Sequence, residues 1–490
     1  MKVAIVGGGL GGLSAAVTLA KHGLEVDVYE KNHHFGGKMM AVDEQGYHFD
    51  FGPNTMTMPE VFCDVVRQGG LIPEEELEFI QLERHTRNQF PDGTVFDLSS
   101  NPADMKEQLE AMDQKGAARY DRFLDEVERL YDLSKQHFLH RTFSSWSDYL
   151  SPGLAKALAQ VRPWQSMDRF FHSYFSNPKI IQSLNRYSTY VGSSPFTTPA
   201  TFAMIAHLEL NDGVYYVRGG NTNIAKSFVK AARRQGARLH NNQPVRKVLT
   251  EGNTAVGIEL ESGEQVEADY VLINGDLLEA VPKLLGQDAS PSLSKQKLKK
   301  IDPSISAFVI MAGLDTKLDQ LHHHHVLFSN DYKKEFNQLQ KGRYADDPTI
   351  YLCTSSKSDP SVSPEGDNTF LLVNAPALEE RNTQDDQAYK QLIYNKLKRN
   401  GIPLESHVKY EKVITPKQIA DMFGAYKGSL YGPSSNRKLQ AFMRPFNKSK
   451  DVDNLFFCGG STHPGGGSPM VVLSGQNVAN EMIGKLVNIE

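Results

Sequence analysis

A chain of 490 residues has room for two or three domains and a large core, and a 40% hydrophobic content marks it as globular rather than disordered. A formal net charge of -5 leaves no overall basic footprint, which argues against nucleic acid as a main partner. The three cysteines, Cys63, Cys353 and Cys458, are far apart with no C-x-x-C; this count excludes a disulfide framework, a redox dithiol and a thiolate metal site, and suits a reducing cytosol.

In chain order, Lys2–Val6 reads as a short buried parallel strand ending in glycines, and Leu13–His22 as a helix stopped at Gly23. Glu25–Tyr29 follows as a second strand with acidic Glu30 at its end, completing a β-α-β unit within the ~30 residues such units need. The first apolar run is broken by glycines, so it predicts strand and turn rather than a signal peptide. No apolar stretch approaches the ~18 residues of a spanning helix. Residues 102–137 place apolar residues at helical spacing, and 145–190 do so with both tryptophans. Val214–Val217 and "RGGNTNIAKSFVKAARRQGARL" give a strand, a glycine turn and an amphipathic helix stopped by Gly236. "PVRKVLTEGNTAVGIEL" and "GEQVEADYVLING" read as two hairpin-like pieces turning at Gly252-Asn253 and Ser262-Gly263. After a mixed segment over 300–425, Asn454–Cys458 is a last strand, "CGGSTHPGGGSP" a second glycine cluster, and Met470–Leu486 a final helix. With no repeats, low-complexity tracts or linker, the domains are expected to interleave.

Gly7, Gly9 and Gly12 occupy the G-x-G-x-x-G positions. Gly7 permits the tight turn, Gly9 lets backbone approach a pyrophosphate, and Gly12 lets helix and strand pack closely. The helix N-terminus then offers free N–H groups and the positive end of its dipole to the phosphates. Glu30, 18 positions after Gly12, is placed to accept hydrogen bonds from ribose hydroxyls and disfavours a 2′-phosphate, so FAD or NAD fits better than NADP. Only Gly219-Gly220 stands out in the middle of the chain, and it lacks the spacing of a second fingerprint for a nicotinamide dinucleotide. The cofactor is therefore expected to be reduced by an organic substrate, its electrons leaving to oxygen, a quinone or another diffusible acceptor.

Gly36-Gly37-Lys38 and Gly52-Pro53, close behind Glu30, resemble the extended signature of the flavin amine oxidase and carotenoid desaturase superfamily, with Lys38 where arginine is usual. Lysine keeps the charge but loses the planar fork, which weakens any phosphate contact assigned to it. "NLFFCGGSTHPGGGSPMVVLSGQNVANEM" is similar to the C-terminal flavin motif of bacterial carotenoid desaturases and of relatives that oxidise terminal methyl groups. "TMTMPEVF", "FPDGTVFDL", "YVGSS" and "DDPTIYL" look more like the diaponeurosporene oxygenase branch.

The resemblance implies FAD, with cofactor contacts at Gly7, Gly9, Leu10, Gly11, Gly12, Glu30, Lys31, Gly36, Gly37, Lys38, Gly52, Pro53, Val245, Gly459, Gly460, Pro469, Met470 and Val471. It implies an α/β fold: a glutathione-reductase-like, Rossmann-type FAD domain over 1–65, 212–295 and 450–490, an interleaved mixed-sheet substrate domain over 66–100 and 296–449, and a helical cap over 101–211. The expected activity is FAD-dependent oxidation of a long polyene, taking a terminal methyl of a C30 or C40 carotenoid towards an aldehyde. The alternative within the family is a carotenoid desaturase; outside it stand a flavin amine oxidase and a non-enzymatic escort for isoprenoid lipids. A peripheral position on the cytoplasmic side of a membrane is expected, without a spanning helix.

Two features remain. "LHHHHVLF" places His322–His325 together; four consecutive residues cannot all face one ion on a regular element, so the run reads as a polar loop before a strand at Val326–Phe328, with no metal expected. His463 in the flavin loop is the one candidate catalytic residue: it either touches the isoalloxazine or braces the turn. The aromatic residues of 145–190 either form a membrane-facing amphipathic cap or pack into a helical core.

Overall fold

A computed structural model describes residues 1–150, 152–286, 291–379, 384–437 and 441–487. Five short strands form an all-parallel sheet in the order Leu455–Phe457, Tyr270–Ile273, Lys2–Val6, Glu25–Tyr29, Arg238–His240. Runs such as "KVAIV" and "YVLI" are apolar almost throughout because helices cover both faces of such a sheet. Val6 pairs with Tyr29 and with Ile273, and Ile273 with Phe457, so four strands end level. Gly7, Glu30, Asn274 and the Cys458-Gly459 turn follow at one carboxyl edge, where open α/β sheets bind ligands.

Helix Leu10–Lys21 is buried from Leu10 to Ala20 and crosses helix Ser468–Val487 closely enough that Ser14 Oγ donates to the Val472 carbonyl at 2.9 Å. A Cβ added at Gly475 would lie 2.0 Å from the Gly11 carbonyl oxygen, so only glycine fits this crossing.

The second large sheet is mixed, with seven strands in the order Val408–Ile414, Ser306–Leu314, Asn368–Ala375, Ile350–Thr354, His324–Leu327, Thr86–Gln89, Val95–Leu98. The hairpin Met40–Glu44/Tyr47–Phe51 packs Phe49 and Phe51 into a core with Val309, Met311 and Phe370 of this sheet. Helices Pro102–Met112, Gln114–Ser134, Pro152–Gln160, Met167–Tyr174, Pro178–Asn185 and Ile205–Leu210 make the cap. Its core centres on Phe123, ringed by Phe170, Phe171, Tyr174 and Phe175 at centroid distances of 5.1–6.3 Å. The cap aromatics thus divide: the phenylalanines are core, while Trp146 and Trp164 stay 55% and 76% exposed.

Two expectations are corrected. Val245–Glu251 and Thr254–Leu260 do form a hairpin extended by Gln265–Glu267, but Tyr270–Ile273 leaves it for the parallel sheet, where it is paired on both sides, by Val3–Val6 and by Leu455–Phe457. The histidine run is not a polar loop: His324 opens a strand ending at Leu327, and His323, His324 and His325 are buried.

Candidate active site

The carboxyl edge of the parallel sheet opens into a cavity of about 390 Å³ lined from both ends of the sequence. Gly7, Gly9, Leu10, Gly11, Glu30, Lys31, Gly36, Gly37, Lys38, Gly52, Pro53, Val245, Gly459, Gly460 and Val471 all reach it. Gly12 does not: a Cβ there would sit 2.3 Å from the Gly7 carbonyl oxygen, so its part is helix–strand packing. Pro469 and Met470 face a neighbouring cavity instead.

Gly7 turns the chain at φ 103° towards helix Leu10–Lys21, whose first turn no side chain caps. Its free N–H groups and dipole end suit a pyrophosphate. Glu30 is buried and its carboxylate is held by backbone: Gly8 N donates to Oε2 at 2.8 Å and Asn32 N to Oε1 at 2.9 Å. Each oxygen keeps a further lone pair for a sugar hydroxyl. The second glycine pair leans on the first loop, with Gly36 N donating to Gly8 O at 2.8 Å. Lys38 Nζ donates to the carbonyls of Leu430 and Ser429 at 2.7 and 3.1 Å, so its ammonium holds protein backbone where a phosphate contact was expected. Burial lowers its pKa, opposed by Asp276.

Asn274 and Asp276 line the same cavity and were missed in the sequence. Asn274 Nδ2 donates to Gly7 O at 3.1 Å; Asp276 accepts from Leu278 N and Tyr426 N at 3.1 and 2.9 Å, and burial raises its pKa against the pull of Lys38. The available signal was their place just after a parallel strand. Gly219-Gly220 is a structural turn: Asp50 accepts from Asn221 N and Thr222 N, each at 3.0 Å.

A second cavity, about 240 Å³, shares Gly52, Pro53, Leu372, Leu430, Tyr431, Gly466, Gly467 and Ser468 with the first. Leu139, Phe202, Met204, Ile205 and Leu208 make its wall mostly apolar. Arg444 borders it and donates to Gly460 O at 3.0 Å and Tyr431 O at 3.2 Å, tying the C-terminal glycine turn to the shared wall. At another side a buried polar group stands out: Arg186 Nη1 donates to Tyr190 Oη at 3.0 Å, and Tyr190 Oη donates to Glu209 Oε1 at 2.7 Å. Arg186 Nη2 lies 3.8 Å from Glu209 Oε2. Burial raises the pKa of Glu209 against the pull of Arg186.

His463 lines neither cavity. Its Nε2 donates to Phe138 O at 2.6 Å, its carbonyl accepts from Asn447 Nδ2 and Ser474 Oγ, and burial lowers its pKa to about 4, leaving a neutral ring that braces the turn.

One cavity on a parallel α/β sheet, closed by two glycine-rich loops and opening onto a second apolar cavity, defines a dinucleotide-dependent oxidoreductase, and its dinucleotide is FAD. The chain belongs to the flavin containing amine oxidoreductase family, which it matches over residues 10–483. It is 32% identical over 487 residues to 4,4'-diaponeurosporene oxygenase of Staphylococcus haemolyticus (strain JCSC1435), covering 98% of this chain and 97% of that one. It is 35% identical over 493 residues to 1-hydroxycarotenoid 3,4-desaturase of Flavobacterium sp. (strain P99-3), covering 98% of each. Among solved structures, an oxidoreductase from Methanosarcina mazei shares the fold at a TM-score of 0.63 and 17% identity, covering 98% of this chain and 100% of that one. Wild-type putrescine oxidase bound to putrescine does so at 0.63 and 15%, covering 100% and 99%.

Proposed function

We propose that this enzyme oxidises a terminal methyl group of a long apolar polyene, a C30 or C40 carotenoid, towards an aldehyde, a four-electron oxidation whose new oxygen atom comes from O2 or water and whose electrons leave to oxygen or a quinone as external acceptor. The observation that carries this reading is the second cavity, apolar along most of its wall, meeting the dinucleotide cavity at Gly466-Gly467. When bound, FAD would supply a two-electron acceptor. The residues named above as the lining of the first cavity would hold it. The chain's own contribution is positional: Leu139, Phe202, Met204 and Leu208 exclude water around the polyene, while Arg186, whose Nε and Nη2 have no hydrogen-bond partner, offers donors to an end that gains oxygen. That polar group suits an oxygenated chain end, which is the product of the proposed oxidation. The names of the relatives, oxygenases and a desaturase, support the substrate class.

The protein is further proposed to work at a membrane surface, from which an apolar polyene can be drawn. No described helix is long and apolar enough to cross a membrane, and Trp146 and Trp164 are exposed on the cap, with Lys450 Nζ 5.3 Å from the Trp146 ring.

The test is to incubate the purified, FAD-loaded protein with diaponeurosporene and, separately, with diapophytoene in liposomes. An aldehyde from the first is expected; a longer chromophore from the second without any aldehyde would make the enzyme a desaturase.

A further inference from the structure

Two of the four histidines converge on a cysteine from the neighbouring strand. His324 pairs directly across the antiparallel ladder with Cys353, so the two side chains leave the sheet on the same face. His323 sits one residue before the strand begins, where the alternation of faces has not started, and its ring meets that of His324 at 4.5 Å. One ligand atom from each of His323, His324 and Cys353 lies within 4.8 Å of the others, and all three residues are buried. His325 points away to Gln89 Oε1 at 3.0 Å, and His322 stacks edge-on against it.

The hydrogen bonds of the two imidazoles engage one nitrogen of each ring and leave the other unpaired. His323 Nδ1 lies 2.7 Å from Ser358 Oγ, and His324 Nδ1 lies 2.9 Å from Tyr351 Oη. With each Nδ1–H donated to a hydroxyl, the lone pair of each Nε2 is free, and both Nε2 atoms are buried with no hydrogen-bond partner. A buried, unpaired imidazole nitrogen costs folding energy unless something occupies it. Metal-binding histidines are held in the same way, by an outer partner on the far ring nitrogen.

We propose that His323, His324 and Cys353 bind one divalent ion of the zinc class. Two imidazoles and one thiolate suit zinc, which takes four ligands at ~2.0–2.3 Å, so a fourth position stays open to water. On binding, the Cys353 thiol gives its proton to the bulk buffer. The ion also fixes the proton of His324 on Nδ1, so Tyr351 Oη accepts from the ring and turns its own proton elsewhere. Tyr351 lines the apolar cavity, so one residue separates the site from that cavity. Counting cysteines could not find it, because only one thiol takes part.

The test uses the full-length, FAD-loaded protein. Zinc is measured by elemental mass spectrometry; after chelation, Co2+ is titrated and its tetrahedral absorption followed beyond the flavin bands. About one zinc per chain is expected, with a thiolate-ligated cobalt spectrum. Cys353→Ser and His324→Ala should weaken binding at least ~10-fold, while Cys353→His should keep the metal and His322→Ala should bind as the parent does. Less than about a tenth of an equivalent of zinc and no cobalt spectrum in a parent protein that retains FAD would overturn the proposal. So would an equal loss in His322→Ala, which would show a histidine run gathering metal without a built site.

Discussion

Glu30 Oε2 accepts the backbone N–H of Gly8 at 2.8 Å, which makes the acid at the end of the second strand a structural part of the glycine loop. The same carboxylate therefore shapes the phosphate turn and faces the cavity. Glu30→Ala is expected to weaken FAD binding roughly 10- to 100-fold, the loss of one or two charge-assisted hydrogen bonds. Flavin content after gel filtration and fluorescence titration of the apoprotein measure it; full flavin retention would show that the acid serves the loop alone.

The buried pair of Arg186 and Glu209 sets the cost of disturbing the second cavity. Arg186→Met strands a buried carboxylate and should destabilise the fold by roughly 3–5 kcal/mol. Arg186→Met with Glu209→Gln should recover part of that loss, because no uncompensated charge remains. Denaturant melts of the two singles and the double close the cycle, and strict additivity would mean that the two groups do not interact.

Acid should loosen the cap through Asp113. This carboxylate accepts from Gly116 N at 2.9 Å, Ser176 N at 2.6 Å, Ser176 Oγ at 2.7 Å and Asn177 N at 2.8 Å. Burial alone would raise its pKa, but these donors together lower it. A lowered carboxylate gives stability that is complete above its unfolded value of ~3.9 and is lost as pH falls through the folded value. The cap's melting should therefore drop as pH falls below about 4, and Asp113→Asn should flatten that slope. Near-ultraviolet circular dichroism of the cap aromatics follows it.

Gly475→Val should abolish FAD binding and most soluble expression, since its first carbon already meets the Gly11 carbonyl oxygen at 2.0 Å. Gly484→Ala, nine residues later on the same helix, meets nothing within 4 Å and should raise stability by roughly 0.5–1 kcal/mol. Thermal melts of both variants separate a crossing effect from a general effect on the helix.

What the sequence disclosed was local. Gly7, Gly9, Glu30 and the C-terminal glycines were legible because a dinucleotide imposes spacing on adjacent residues. Asn274 and Asp276 were not, since their meaning comes from Tyr270–Ile273 pairing with Lys2–Val6, 267 positions away at Val3 and Tyr270. Arg186 and Glu209 sit on different helical segments with no shared spacing, so only the folded cap brings them together. The histidine run misled for a physical reason: alternation forbids four ligands on a strand, but it does not forbid one from the strand, one from the bend before it and a third from next door.

The crossing of Gly11 and Ser14 with Val472 and Gly475 also sets a timetable for synthesis. At roughly 5–20 residues per second, the N-terminal loop leaves the ribosome tens of seconds before its partner exists. During that interval the helix Leu10–Lys21 lacks the cover of Ser468–Val487, and the parallel sheet lacks its edge strand Leu455–Phe457. Nascent chains of this protein should therefore depend on chaperones until Ser468–Val487 has emerged, and FAD should be captured only from then on.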